Sequence, residues 1–231
     1  MLDLFFPPIC SCCDVRLERS SFLCLECAGK LKAIKPPWCA RCGLSLPISE
    51  TLQLNCLSCY HYPPHWDALR SVFVYQEPLR HLIHRWKFND RPEISELFGE
   101  AMEFFIHEHW HDPNWQILIP VPLHPIRFRE RDYNQALLLT QVLSNKLNIP
   151  LSSDALRRIR HTLPQSNLSR SARNQNLRGA FQVNDTLIQG RRILLVDDLY
   201  TTGATLNQCA LALKREGADR VDGLTLARVL S

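Results

Sequence analysis

Residues 193–205 read ILLVDDLYTTGAT, and this stretch decides the fold. Four apolar residues run into Asp197 and Asp198, and a short loop rich in threonine follows. A short apolar run of this kind predicts a buried β-strand, with the two acids at its carboxyl end. Ligands of open parallel sheets bind outside the carboxyl ends of the strands. The stretch therefore predicts a ligand site where this strand turns into the next helix.

The turn after the two acids has the composition of a phosphate site. A helix N-terminus offers free N–H groups and a favourable dipole to a phosphate, and Gly203 allows the backbone to approach it closely. The predicted phosphate-binding residues are Thr201, Thr202, Gly203, Ala204 and Thr205. A phosphate there places an attached sugar beside Asp197 and Asp198, whose carboxylates can accept hydrogen bonds from two vicinal hydroxyls. The implied ligand is a ribose 5-phosphate unit. Because the lysine of a Walker A loop is absent, nucleoside triphosphate hydrolysis is disfavoured.

From about residue 67 onward, predicted strands alternate with predicted helices. The strands are expected at 69–75, 115–121, 191–197 and 220–230, and the helices at 78–88, 93–106, 133–147 and 204–217. Alternation of this kind is typical of a parallel sheet flanked by helices. The predicted fold class is therefore α/β.

Eight of the ten cysteines form four CxxC pairs within the first 60 residues. A CxxC turn suits a tetrahedral metal ion better than a disulfide, and the disulfide alternative needs an oxidising compartment. Two structural zinc ions are predicted. With sequential pairing, the ligands are Cys10, Cys13, Cys24 and Cys27 for one ion and Cys39, Cys42, Cys56 and Cys59 for the other. A cross-braced pairing of the first turn with the third stays open. Cys12 is expected to be a bystander and Cys209 a core residue.

Length and composition predict two globular units in the cytoplasm. The chain has 231 residues, and HYPPHW at 61–66 looks like a joint, which gives a double zinc-ribbon domain at 1–62 and a second domain at 63–231. The formal charge of +4 falls to zero once eight thiolates and two zinc ions are counted, so any polyanion site must be a local patch. No signal peptide is recognised, and no apolar run approaches a membrane span of about 18 residues.

The 193–205 stretch closely resembles the phosphoribosyl-diphosphate (PRPP) signature of type I phosphoribosyltransferases. By that resemblance, Asp197 and Asp198 hold the ribose 2- and 3-hydroxyls, and residues 201–205 cradle the 5-phosphate. One departure concerns Thr201. Purine salvage transferases carry an acid at that position, which acts on the incoming base, and a threonine without an activating partner cannot be a general base at neutral pH.

The second part of such a site is a loop that meets the diphosphate together with Mg²⁺. Its match here is ILIPVPLH at 117–124. The diphosphate-binding residues that the resemblance implies are Val121, Pro122, Leu123, His124, Arg127 and Arg131. For the two arginines the alternative is a solvated helix face, because neighbouring acids cancel most of their charge.

Residues 155–184 contain six arginines but no Asp or Glu. Amide and hydroxyl side chains lie between the arginines, so the stretch can follow a phosphate backbone by charge while its amides bond to sugar or base edges. The predicted DNA-binding residues are Arg160, Arg170, Arg173 and Arg178. In type I transferases this region is a loop that closes over PRPP, so its arginines could serve diphosphate instead, and the two roles are not exclusive.

The order of motifs along nearly the whole chain resembles the ComF family of competence proteins. The matching segments are VPLHPIRFRERDYNQALLL, RIRHTLPQS, RNQNLRGAF and ILLVDDLYTTGATL, preceded by the four CxxC pairs, and YQEPLRHLIHRWKF adds Lys87 as a candidate site residue. The resemblance implies a type I phosphoribosyltransferase-like sheet preceded by a small double zinc ribbon. It further implies a cytoplasmic factor that handles incoming single-stranded DNA in natural transformation, beside a DNA-uptake channel and a helicase-like partner.

Two functions are compatible with these observations. In the first, a DNA-handling factor binds PRPP or a related ribose phosphate as a ligand, and its zinc ribbons contact DNA or protein. In the second, the chain is an active phosphoribosyltransferase that transfers ribose 5-phosphate from PRPP to an acceptor and releases diphosphate. The missing acid at Thr201 favours the first function, whereas the intact ribose-phosphate motif keeps the second open.

Overall fold

The computed structural model describes residues 8–18, 21–47, 55–88, 91–110, 113–123, 133–160, 177, 179–184 and 188–230. Its strands are β1 (Leu69–Val74), β2 (Ile117–Pro120), β3 (Leu156–Arg158), β4 (Phe181–Val183), β5 (Arg192–Tyr200) and β6 (Arg220–Arg228). Its helices are α1 (Leu25–Gly29), α2 (Leu57–His61), α3 (Leu79–Phe88), α4 (Ile94–His109), α5 (Gln135–Leu147) and α6 (Ala204–Arg215). Among the described residues, none of the helices combines the length and the hydropathy of a membrane span.

A four-stranded parallel sheet in the order β1-β6-β5-β2 forms the centre of the fold. The apolar run of β5 is buried on both faces of this sheet. Ile193 and Leu195 pack on the side of α6, while Leu194 and Val196 pack on the side of α3, α4 and α5. A strand that is covered on both sides needs apolar residues at every position, which explains the uninterrupted run and confirms the α/β prediction.

Strand β5 continues three residues beyond Asp197, where the sequence pattern placed its end. The extension forms because β6 runs alongside, with Leu199 opposite Ala227 and Tyr200 opposite Arg228. On the other side, β2 ends at Pro120, which lies opposite Val196. Asp197 and Asp198 therefore lie just past the carboxyl end of β2, on a strand that projects beyond its neighbour.

One four-cysteine group packs on each face of the sheet. Cys10 and Cys27 belong to the apolar core on the side of α3, α4 and α5, whereas Cys39, Cys42 and Cys59 belong to the core on the side of α6. The segment between the groups runs beside the edge strand β1, where the Ile34 amide donates to the Val72 carbonyl over 2.9 Å and the Val74 amide donates to the Lys32 carbonyl over 2.8 Å. Pairing of this kind satisfies backbone groups that an open sheet edge would leave exposed.

Candidate functional site

The two acids lie side by side in β5 but serve different faces of the sheet. Successive side chains of a strand point to opposite faces. Asp198 reaches Lys87 of α3. On the other face, burial and then the charge of Asp197 raise the pKa of the Cys209 thiol, which lies buried in α6 as expected for a core residue. The backbone amide of Asp198 also donates to Asp197 Oδ1 over 2.9 Å, which fixes the first carboxylate against the strand.

The salt bridge of Lys87 with Asp198 connects helix α3 to the acidic pair. The two side chains are only 14% and 15% exposed, so both charges are largely withdrawn from water. Burial and then the charge of Asp198 raise the pKa of Asp197, and Lys87 opposes that rise. The resemblance had marked Lys87 as a candidate, but only the fold reveals its partner.

The turn that follows β5 leads directly into α6, whose first residue is Ala204. The Ala204 amide makes a long contact of 3.4 Å with Thr202 Oγ1. Within the part of the chain that the structure describes, nothing accepts a hydrogen bond from the amides of Thr201, Thr202 or Gly203. These N–H groups at the start of a 12-residue helix can therefore meet an anion.

Gly203 is required at this turn for two reasons. Its φ of 74° lies in the left-handed region that favours glycine. A Cβ atom at this position would also lie 2.7 Å from Tyr200 Cε2 and 2.9 Å from Trp66 Cη2. The turn thus packs directly on two aromatic rings, and neither ring was part of the site expected from the sequence.

The predicted diphosphate loop begins at the end of β2. The Val121 amide donates to the Val196 carbonyl over 2.9 Å, and the Val121 carbonyl accepts from Asn134 Nδ2 at 3.2 Å. Both backbone groups of Val121 are thus engaged within the protein, and Pro122 has no N–H. Leu123 is the one described residue of the loop whose amide can face a ligand. His124, Arg127 and Arg131 lie outside the described residues.

A small antiparallel pair of strands flanks the arginine-rich segment in the sequence. Strands β3 and β4 form its stem, in which Leu156 lies opposite Val183. Phe181 of this stem shares the apolar core of α6. Arg160 lies at the exposed end of the stem. Arg170, Arg173 and Arg178 lie outside the described residues, and their role in binding DNA stays a prediction.

The eight CxxC cysteines form two compact groups with sequential pairing. Within each group the four sulfur atoms all lie within 4.8 Å of one another. The first group contains Cys10, Cys13, Cys24 and Cys27, and the second contains Cys39, Cys42, Cys56 and Cys59. The Cys13–Cys24 and Cys42–Cys56 sulfur pairs are both 3.8 Å apart. Tetrahedral zinc with bonds of about 2.3 Å to sulfur requires a separation close to this. The cross-braced alternative is therefore wrong, and Cys12 belongs to neither group.

Backbone amides favour the thiolate form of one cysteine in each group. The Cys24 amide donates to Cys10 Sγ over 3.4 Å, and the Cys56 amide donates to Cys39 Sγ over 3.3 Å. Burial would raise the pKa of Cys10, but backbone donors led by that of Cys24 lower it to about 6. Burial and then the neighbouring sulfur atoms raise the pKa of Cys27 in the same group. Sulfur atoms crowded in this way suit a dication that removes their mutual repulsion, so the residues present fit structural zinc.

Two family models match separate parts of the chain. The family models described as double zinc ribbon domain and phosphoribosyl transferase domain match residues 1–60 and 134–231. A solved structure of glutamine PRPP amidotransferase from B. subtilis aligns with a TM-score of 0.42 and 15% identity, covering 61% of this chain and 30% of that chain. At this level the structural similarity adds nothing to the family models.

Two curated relatives match along nearly their whole length. Competence protein F of Haemophilus influenzae is 35% identical over 211 residues, which are 89% of this chain and 90% of that protein. The DNA utilization protein YhgH of Escherichia coli K12 is 34% identical over 231 residues, which are 98% of this chain and all of that protein. With a double zinc ribbon, a phosphoribosyltransferase domain and full-length relatives of this kind, the chain belongs to the ComF family of competence proteins.

Proposed function

We propose that the turn between β5 and α6 binds the ribose 5-phosphate part of PRPP, and that this ligand serves a cytoplasmic factor for single-stranded DNA in natural transformation. One arrangement carries the proposal. The turn that follows Asp197 and Asp198 leads into the N-terminus of α6. The backbone amides of Thr201, Thr202 and Gly203 in this turn have no described acceptor within the protein. Amides and helix dipole suit a phosphate, and carboxylates suit sugar hydroxyls. A pentose 5-phosphate carries both groups, with vicinal hydroxyls on the ring and the phosphate on the carbon outside it.

Each part of the ligand has a partner in this arrangement. The 5-phosphate would accept hydrogen bonds from residues 201–205. The ribose hydroxyls would donate to Asp197 and Asp198, with Lys87 holding the second acid in place. The diphosphate would lie toward Leu123 and His124, and Mg²⁺ bound with it would neutralise part of its negative charge.

The DNA part of the proposal is supported by the relatives and by the charge pattern. Among the relatives, one is named a competence protein and another a DNA utilization protein. The acid-free segment 155–184 carries the positive charge that a nucleic-acid backbone attracts. Its stem packs in the same core as α6, the helix that begins at the phosphate turn, so the proposed DNA segment and the sugar-phosphate site share one side of the sheet. A DNA-uptake channel and a helicase-like protein are the partners expected in this setting.

Isothermal calorimetry with PRPP and Mg²⁺ tests the ligand. The double variant Asp197→Asn, Asp198→Asn should lose at least about tenfold in affinity, because the hydrogen bonds that charged acceptors make are among the strong ones. The control is Asp154→Asn, which removes an exposed acid of the β3 stem. Wild-type affinity in the double variant, or no heat with the wild-type protein, would reject the site.

Titration with a single-stranded oligonucleotide at several salt concentrations tests the DNA contact. Replacing Arg170, Arg173 and Arg178 by alanine should weaken binding and reduce the slope of log K against log salt by about 0.7 for each phosphate that an arginine no longer neutralises. The matched control replaces the exposed Arg16, Arg80 and Arg215, which removes the same charge elsewhere. Equal weakening in the two triple variants would mean that net charge, rather than this segment, attracts the DNA.

The second candidate function is phosphoribosyl transfer, and the retained acidic pair favours it because a protein that only binds DNA has no need of a ribose site. In that reaction the bond between C1 and the diphosphate oxygen breaks, diphosphate leaves with the electron pair, and an acceptor bonds to C1 and loses a proton. Thr201 is exposed at the turn and offers no carboxylate to take that proton. Release of pyrophosphate from PRPP with Mg²⁺ and a series of acceptors distinguishes transfer from binding alone.

A further inference from the structure

We propose that the second four-cysteine group, Cys39, Cys42, Cys56 and Cys59, positions the phosphate turn, so that zinc bound there sets the order of residues 201–203 and their affinity for a sugar phosphate. The ligand in this statement rests on the proposed function, whereas the order of the turn is measurable without any ligand. Two separate contacts carry the proposal, and both start from the 39–42 turn.

The first contact runs through Arg228, the last residue of β6. Its guanidinium donates to the Cys42 carbonyl, and its Nη2 lies 3.6 Å from Cys42 Sγ. The same guanidinium carbon lies 4.1 Å from the centre of the Tyr200 ring. With 6% of its surface exposed, Arg228 is a buried cation whose neighbours are a metal-ligand sulfur on one side and an aromatic face on the other. Such a cation holds both groups strongly because water does not screen it.

The second contact runs through Arg41, which lies between the two cysteines of the same turn. The Trp66 indole N–H donates to the Arg41 carbonyl over 3.0 Å, and Arg41 Nη1 donates back to the Trp66 carbonyl over 3.1 Å. Trp66 is 4% exposed and meets the Tyr200 ring edge to face, with centroids 6.3 Å apart. The 39–42 turn therefore fixes both aromatic rings.

The rings of Tyr200 and Trp66 both pack against Gly203. The closest atoms to a Cβ built there belong to Tyr200, at 2.7 and 2.8 Å, and to Trp66, at 2.9 Å. A shift of either ring would move the backbone on which the predicted phosphate rests. Because four thiolates stay together only around a cation, loss of the second zinc would release the 39–42 turn and, through it, the two rings.

The first four-cysteine group provides an internal control. Its described contact with the rest of the fold includes the salt bridge of 2.9 Å between Asp14 and Arg85 of α3, on the opposite face of the sheet from α6. Loss of the first zinc should therefore leave Tyr200, Trp66 and Gly203 in place. Loss of the second zinc is therefore expected to disturb the 201–203 turn, whereas loss of the first zinc is expected to leave it unchanged.

The experiment combines native mass spectrometry, hydrogen–deuterium exchange of peptides covering residues 200–206, and calorimetry with PRPP, all on the full chain. Cys59→Ser removes a ligand of the second site, and Cys27→Ser removes the ligand at the equivalent position of the first. Each variant should retain one zinc ion, in the site whose ligands are intact. Exchange at 201–203 should accelerate about fivefold or more in Cys59→Ser, with an equal loss of PRPP affinity, and stay within about twofold of wild type in Cys27→Ser.

A second pair of variants keeps both metals and removes only a guanidinium. Arg228→Met should retain two zinc ions, yet exchange at 201–203 should accelerate about threefold or more, as in other couplings through packed side chains. Arg70→Met is the control, because Arg70 also donates to the second site, at the Ala40 carbonyl over 3.1 Å, but has no described contact with Tyr200. Exchange at wild-type rates in Arg228→Met would overturn the proposal, even if Cys59→Ser does not fold. If the wild type binds no PRPP while exchange still follows the second zinc, the proposed function fails and the coupling stands.

Discussion

Lys87 Nζ forms a salt bridge with Asp198 Oδ2, and this contact joins the C-terminal end of α3 to the strand that carries the acidic pair. Both side chains are largely buried, so removal of one partner leaves a charge in a poorly solvated position. The lysine also acts on Asp197, whose pKa burial and Asp198 raise and Lys87 lowers. Lys87 thus opposes the rise in the pKa of Asp197 that burial and the second carboxylate cause.

We expect Lys87→Met to weaken PRPP binding about tenfold, the loss typical of one charge-assisted hydrogen bond. Without the lysine the pKa of Asp197 rises further, so binding should be lost at a higher pH on acidification than in the wild type. Calorimetry across a pH series measures both effects. The control is Lys146→Met, which removes the salt bridges that Lys146 of α5 forms with Glu96 and Glu100 of α4. An unchanged pH profile in Lys87→Met would show that the bridge does not tune the pair.

We expect Asp197 to favour ligand binding but to lower the stability of the folded protein. Its pKa is raised in the folded protein, first by burial and then by Asp198. A carboxyl of this kind contributes stability that is fully present below its unfolded pKa and is lost as the pH rises through the folded pKa. At neutral pH, above the unfolded pKa, Asp197 therefore makes the folded state less stable than a side chain that does not titrate would.

Asp197→Asn should raise the free energy of unfolding at neutral pH by about 1 kcal/mol, while weakening PRPP binding. The gain should shrink as the pH falls toward the ordinary range of aspartic acid, where the wild-type carboxyl is also neutral. Urea denaturation at neutral and mildly acidic pH measures the difference. Asp154→Asn, an exposed position, should show no such gain. A less stable Asp197→Asn protein at neutral pH would contradict the assigned cost of the buried charge.

The elements of the sheet domain were predictable because their signals are local. The apolar spacing of 78–88 and 133–147 gave α3 and α5 to within two residues. The end of β5 was misplaced because residues 198–200 are held by the ladder with β6, which no local pattern reveals. Strands β3 and β4 were missed since three residues are too few for a period to be visible.

The site was predictable in part for the same reason. Asp197, Asp198 and the threonine-rich turn are contiguous, so their chemistry is readable from the sequence. The contacts of Lys87, Trp66 and Arg228 join distant parts of the chain, and only folding brings them together. The pairing of the cysteines was open because spacing is equally compatible with either topology. In the folded protein the sulfur atoms form two separate groups, each made of consecutive CxxC pairs.

Gly203→Ala should lower the stability of the protein by more than the strain of a positive φ alone would. The new Cβ would lie under 3 Å from both Tyr200 and Trp66, so at least one ring must move. We expect a loss of about 2–3 kcal/mol in stability, from crowding added to the strain of a positive φ. Gly190→Ala is the matched control, since Gly190 has a similar φ of 70° and nothing within 4 Å of the built Cβ. Equal losses of stability in denaturation experiments on the two variants would show that the rings yield freely and that crowding costs nothing.

Asn134 connects the start of α5 to the predicted diphosphate loop. Its Oδ1 accepts from the Ala136 amide at 3.1 Å as the helix N-cap, and its Nδ2 donates to the Val121 carbonyl over 3.2 Å. Asn134→Ala should therefore lower the free energy of unfolding by about 1 kcal/mol through loss of the cap. Loss of the second bond frees the Val121 carbonyl and the loop after it, to which the proposal assigns the diphosphate and not the 5-phosphate.

We expect Asn134→Ala to weaken PRPP binding several-fold more than ribose 5-phosphate binding, because only PRPP carries the diphosphate that we propose the loop contacts. Asn134→Ser separates the two roles, since serine retains a capping oxygen but is too short to hold Val121. The serine variant should regain most of the stability and none of the PRPP affinity. If ribose 5-phosphate and PRPP lose affinity equally in both variants, the loop after β2 does not contact the diphosphate. The role assigned to Leu123 and His124 would then be withdrawn.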